Sequence, residues 1–225
     1  MKRYSFYTGI LVAMLFLDGC TSNHMQSVNL SESDMKLAQN ESAIIFLRPT
    51  ILGGAIQAPI AEFVDNNLKF VAIISAKTKV FYKTTSGKHF FVVGGESSNL
   101  LEADFEGGKT YYSYIEPYMG FAKARFEFEP VKNGARLSSE NDKKDPFATL
   151  GTTNNSLWGY ERAYFDSKEF KNDLEDCMWY ESKPVTYEWF AKNKNSMWKK
   201  YESALKRHQN IKPEKRKIIK PEYGH

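Results

Sequence analysis

The sequence predicts an α+β chain in which a small antiparallel β-sandwich or barrel is followed by C-terminal helices. Between Ser42 and Val131, short apolar runs are separated by turns of Gly, Asn and Ser, the texture of a compact all-β unit. Within FAKARFEFEPV, Ala122, Ala124, Phe126 and Phe128 fall on one side of an extended chain, and Lys123, Arg125, Glu127 and Glu129 on the other. That two-residue period fits a strand with one wet face. Beyond Asp166 the apolar residues recur every three or four positions, which is the helical period. Sixteen Phe and thirteen Tyr in 225 residues suit strands and packed cores rather than disorder.

Residues 1–19 read as a signal peptide. Lys2 and Arg3 supply a positive start, Gly9 to Leu17 is uncharged and mostly apolar, and Gly19 precedes Cys20, the layout of a secretory segment. As a helix, Tyr4 to Leu17 spans only about 21 Å against a hydrocarbon core of roughly 30 Å, so it makes a poor permanent span. Leu17-Asp18-Gly19-Cys20 resembles the lipobox of bacterial lipoproteins: Leu17, Gly19 and Cys20 match, and Asp18 stands where a small or hydroxyl-bearing residue is usual. The resemblance implies that the Cys20 thiol takes a diacylglycerol and becomes the mature N-terminus. Thr21 after it, by resemblance to enterobacterial lipoproteins, implies sorting to the outer membrane. The alternative is a plain secretory peptide whose Cys20 pairs with Cys177. At about 0.8 kcal/mol per buried methylene, two or three acyl chains on one cysteine hold a protein at a bilayer where a single chain does not. Losing Lys2, Arg3 and Asp18 with the signal moves the net charge from +4 to +3, which by itself implies no nucleic-acid partner.

Residues 20–41 are polar, with Ser, Asn and Gln prominent, and read as a lipidated flexible tether. The β-domain is expected over 42–131. AIIFLRP closes on Pro49 as a buried strand; IAEFV and LKFVAIIS flank Asp65-Asn66-Asn67, a hairpin connection. KVFYKT, HFFVVG, LLEADF and TYYSYIE follow, divided by Ser86-Gly87-Lys88 and Glu106-Gly107-Gly108-Lys109. AIIFLRP, SGKHFFVV and above all LEADFEGGKTYYSYIEPYMG resemble the bacterial lipoprotein domain catalogued as domain of unknown function 2846, whose members carry a comparable Gly-Lys-x-Tyr-Tyr strand. The likeness covers about Ser42 to Val131. It implies an envelope β-domain and carries no catalytic residues to transfer.

Residues 132–157 are polar and read as a linker or exposed loop, and 158–209 as a helical region. Asp166 with Glu169 forms a capping-box pattern ahead of Phe170, Leu174, Cys177 and Met178. Pro184 separates that helix from a second, capped by Thr186, whose stripe is Tyr187, Phe190, Ala191, Met197, Trp198, Tyr201 and Leu205. Such a stripe marks a face docked onto a domain. From Lys206 onward seven Lys or Arg stand against Glu214 and Glu222, so 210–225 reads as a mobile basic tail, either solvated or touching an anionic envelope polymer or lipid.

Recognisable catalytic chemistry is missing from the motifs. His24, His89, His208 and His225 stand singly, with no paired-ligand spacing, nucleophile elbow or phosphate loop. The sequence therefore calls for no metal and no cofactor. His89 fits a structural hydrogen bond, and Glu102 with Asp104 an exposed strand face. Exposed tyrosines can stack on sugars, so Tyr111, Tyr112, Tyr114, Tyr118 and Trp158 form the candidate binding surface. The expectation is a non-enzymatic envelope lipoprotein, tied to the membrane by lipid at Cys20 and binding or supporting envelope proteins or cell-wall polymer. A peptidoglycan- or polysaccharide-binding module is the alternative, and a cell-wall hydrolase a further one.

Overall fold

The computed structural model describes residues 24–51, 56–118, 121, 124–133 and 164–225. The signal segment, Cys20, Trp158 and most of the 132–157 stretch lie outside those residues. The described chain forms β1 (Met25–Ser27), β2 (Glu41–Arg48), β3 (Ala58–Val64), β4 (Asn67–Ile74), β5 (Thr78–Thr85), β6 (Gly87–Val93), β7 (Asn99–Phe105), β8 (Thr110–Tyr118) and β9 (Arg125–Pro130). After these come α1 (Lys168–Asp176), β10 (Met178–Ser182), α2 (Pro184–Asn210) and β11 (Ile218–Ile219).

Two sheets make a sandwich, not a closed barrel. The first has strand order β1-β10-β5-β2-β8-β9 and the second β11-β7-β6-β3-β4. They meet through Ile44, Phe46, Tyr111 and Phe128 on one side and Ile60, Phe91, Leu101 and Phe105 on the other. Phe46 lies edge-on to Phe91 with centroids 5.4 Å apart, a favoured aromatic geometry. Local turns set the hairpins. Asp65 and Asn66 take φ of 50° and 56°, the left-handed pair that a two-residue connection between β3 and β4 requires. Gly108 takes φ of 77° before β8, a conformation glycine adopts without steric cost.

The sheets are mixed rather than antiparallel throughout. β2 and β8, in the middle of the first sheet, run parallel, with Ile44 opposite Tyr111; the long crossover that a parallel pair needs runs through β3 and β4, back to β5 of the first sheet, and then through β6 and β7. β10 and β11 also join in parallel, to β5 and β7.

Each outer face carries a helix. α2 lies over the second sheet: Tyr201 stacks on Phe63 at 4.5 Å, Phe190 meets Phe70 at 5.1 Å, and Lys200 donates to the Gly95 carbonyl at 2.8 Å. α1 lies over the first sheet, where Phe170 packs with Leu47, Tyr114, Val131 and Cys177. Coverage on both faces explains why β2 and β4 read as nearly continuous apolar runs rather than alternating ones.

Four expectations are corrected. The 20–41 stretch is not all tether: β1 pairs with β10, Met25 opposite Ser182, and Met25 is buried. The 210–225 tail is built into the fold. β11 extends the second sheet, and His225 exchanges backbone bonds of 2.7 and 3.0 Å with Thr110. Ile219, buried completely, supplies the apolar anchor that the surrounding charge obscured. The helix caps also differ. Ser167, not Asp166, caps α1 by accepting from the Phe170 amide. α2 begins at Pro184, where a missing amide hydrogen costs nothing, and Thr186 lies buried inside its first turn.

Candidate functional site

The tyrosine surface does not form as expected. Tyr111 and Tyr114 are buried, on opposite faces of the first sheet. Tyr111 stacks on Phe105 at 4.6 Å and its hydroxyl accepts from the Glu106 amide. Tyr114 donates to Asp173 on α1 at 3.2 Å. Tyr112 is half-buried against Phe170, and burial raises its hydroxyl above the ordinary range. Tyr118 stands half-buried at the far end of β8, opposite Arg125. Trp158 lies outside the described residues. An outward stacking face needs exposed rings, and the helix laid over β8 takes that exposure away.

A buried group of ionisable side chains lies between the sheets. Glu62 on β3 is 1 % exposed; it meets His89 Nδ1 on β6 at 2.5 Å and accepts from the Tyr82 hydroxyl on β5 at 2.5 Å. His89 Nε2 faces the Thr85 carbonyl at 2.9 Å. Burial pushes the Glu62 carboxyl up, but the hydrogen bonds from His89 and Tyr82 outweigh it and hold the group below its ordinary value of 4.5. Glu62, His89 and Tyr82 spend their bonding capacity on one another and on the backbone, so the cluster ties β3, β5 and β6 together across the sandwich. The structural hydrogen bond expected for His89 is present.

A shallow open cleft of about 480 Å³ lies beside α1, lined by Pro49, Ile51, Lys77, Glu169 and Asp173 among others. Lys77 there bonds Asp176 at 3.3 Å. Among the described residues no group of three or more His, Cys, Asp or Glu is placed to hold a metal ion. Cys177 is a free thiol, 2 % exposed, at the C-terminal cap of α1, and burial pushes it up to about 12.

The place that bears on attachment is where the chain enters the fold. Cys20 lies outside the described residues, four positions before His24. The His24 carbonyl accepts from the Lys183 amide at 2.9 Å and from the Thr186 hydroxyl, and its ring lies 5.3 Å from Trp189. These bonds fix the entering strand to the first turn of α2. Beside that point Val185 and Tyr187 are 49 % and 55 % exposed. Sequence reasoning passed over this junction because the contact between His24 and Thr186 spans 162 positions. No helix among the described residues is long and apolar enough to cross a membrane.

Comparison with models of protein families gives no match, and comparison with curated proteins gives none either.

Proposed function

We propose that the chain is a bacterial envelope lipoprotein, exported by its first nineteen residues, held by lipid on Cys20, and non-enzymatic in its binding or structural role. The observation that carries this reading is the order Lys2-Arg3, apolar Gly9–Leu17, then Leu17-Asp18-Gly19-Cys20, the arrangement of a lipidated export signal. The likeness of Ser42–Val131 to the uncharacterised bacterial lipoprotein domain agrees with it. In this reading the protein faces the periplasm from the outer membrane and needs no cofactor. Its partners are the membrane and, beyond it, envelope proteins or cell-wall polymer.

Two features of the folded body fit the role. Its buried acid–base pair, Glu62 and His89, is used internally. Its entering strand is secured a few residues after Cys20 by Met25 and His24, so a pull on the anchor is delivered to β1 and α2 rather than to a loose end. The polysaccharide-binding alternative loses support with the burial of Tyr111 and Tyr114.

The test is the mass of the mature N-terminus together with flotation of membranes from cells producing Cys20→Ser. The expected result is a Cys20 carrying diacylglycerol and acyl mass, and a Ser variant that leaves the membrane fraction. A variant that floats as before, with an unmodified wild-type cysteine, overturns the proposal.

A further inference from the structure

The junction at His24 and the outward face of α2 assign an orientation to the body on its membrane. From the Cys20 Cα to the His24 Cα there are four residue steps, which reach no more than about 14 Å even when fully extended. α2 has 27 residues and so runs about 40 Å. The lipid-bearing residue is thereby confined to one corner of the molecule, the first turn of α2 and the β1–β10 edge.

The surface of α2 leading away from that corner has a regular character. Its inward stripe is Thr186, Phe190, Met197, Tyr201, Ala204 and His208. Val185, Lys192, Lys199 and Lys206 recur every seventh residue on the opposite side, and all four are exposed. A seven-residue step nearly closes two helical turns, so the four stand in one row. Glu188 and Glu202 are the acidic groups on the same side, and Trp198 donates to Glu202 at 2.9 Å. Past the helix end Lys212 and Lys215 are also exposed, with Glu214 between them. Close to the corner this side exposes Val185 and Glu188, while Tyr187 is exposed on the helix flank, edge-on to Phe70; farther along it carries Lys192, Lys199 and Lys206 against the single acidic group Glu202. An aliphatic group suits the headgroup boundary, and long lysines reach anionic headgroups from a helix lying on the surface.

We propose that this outward face of α2 lies on the anionic phospholipid headgroups of the membrane holding Cys20, with Val185 at the boundary and Lys192, Lys199 and Lys206 over the phosphates. The inference rests on lipidation at Cys20. It implies that α1 and the outer face of the first sheet point away from the bilayer, toward the aqueous compartment.

The mature lipidated protein, purified from an exporting bacterium, is reconstituted in vesicles of phosphatidylethanolamine with phosphatidylglycerol that contain a headgroup-linked quencher. A thiol fluorophore is placed at Lys199→Cys on α2 or, in a second preparation, at Lys171→Cys on α1; the buried Cys177 does not compete for label. The expected result is loss of fluorescence at position 199 and none at 171. The loss weakens in phosphatidylcholine vesicles and in the charge-reversed K192E/K206E background, which still floats and keeps its far-ultraviolet circular dichroism. Equal quenching at both positions, or stronger quenching at 171, in protein that floats overturns the orientation while leaving the anchor standing. Equal contrast in phosphatidylcholine vesicles overturns the anionic-headgroup assignment. A protein that lacks lipid mass at Cys20 and does not float removes the anchor and this inference together.

Discussion

The imidazole of His89 and the carboxylate of Glu62 lie 2.5 Å apart in the space between the two sheets, joined from different strands 27 positions apart. Removing one partner of such a buried pair leaves the other desolvated and unsatisfied, which costs about 3–5 kcal/mol. Glu62→Ala and His89→Ala are each expected to lose that much by urea denaturation. The paired apolar replacement Glu62→Leu with His89→Leu is expected to recover much of it, because it removes both desolvated groups at once. A double variant as unstable as the sum of the singles would show that the pair is not the coupling element.

The same carboxyl sets a pH dependence with a definite sign. In the unfolded chain Glu62 takes its proton near the ordinary 4.5, whereas in the folded protein His89 and Tyr82 hold it lower. Between those two values the unfolded chain binds the extra proton. This contribution to stability is therefore complete above the unfolded value and lost as pH falls through the folded one. Urea midpoints measured from neutral pH down to about pH 3 are expected to fall less steeply for Glu62→Gln than for wild type.

Cys177 is expected to resist alkylation in the native protein and to react at once in denaturant, since its thiol is buried and pushed up to about 12. Here the linkage runs the other way. The unfolded thiol loses its proton near the ordinary 9.0 while the folded one keeps it, so stability declines as pH rises from that value toward 12. Timed labelling with a maleimide, with and without urea, reads the first effect. Rapid native labelling would contradict the buried cap position.

Two glycines report on how the chain ends are fitted. A Cβ on Gly107 would run into the Gln39 carbonyl oxygen, and one on Gly224 would stand 2.6 Å from Cζ of Tyr111. Neither space opens without backbone or ring movement, so Gly107→Ala and Gly224→Ala are each expected to cost about 1–3 kcal/mol. Gly224→Ala tests the C-terminal segment directly: a mobile end would tolerate it without a change in melting temperature.

Most strands were legible because their signals are local. Asp65-Asn66 announces its hairpin, and Phe126 and Phe128 point to the core as their alternation requires. The order Leu101, Ala103, Phe105 against Glu102 and Asp104 likewise matches the buried and wetter faces of β7. What escaped is set by distant pairing. Met178 continues the helical stripe of Phe170 and Leu174 in sequence, yet α1 stops at Asp176 and Met178 begins a strand beside Thr78. β1 and β11 are three and two residues long, too short for any period to show. Exposure of Tyr111 and Tyr114 depended on what covers β8, and α1 and the C-terminal turn arrive from more than fifty positions away. The His24 junction was hidden for the same reason. The Cys20 pattern is readable as a unit because all of its residues are contiguous in the sequence.

Both sheets are completed by pairings remote in sequence. Met25 has no strand to join until residue 182 is in place, and Thr110 at the start of β8, already beside Ala43, gains its second neighbour from residue 225. Closing such long loops makes folding slow, so the hairpins are expected to form first and the sandwich to be sealed late, by the segments that arrive from farthest away.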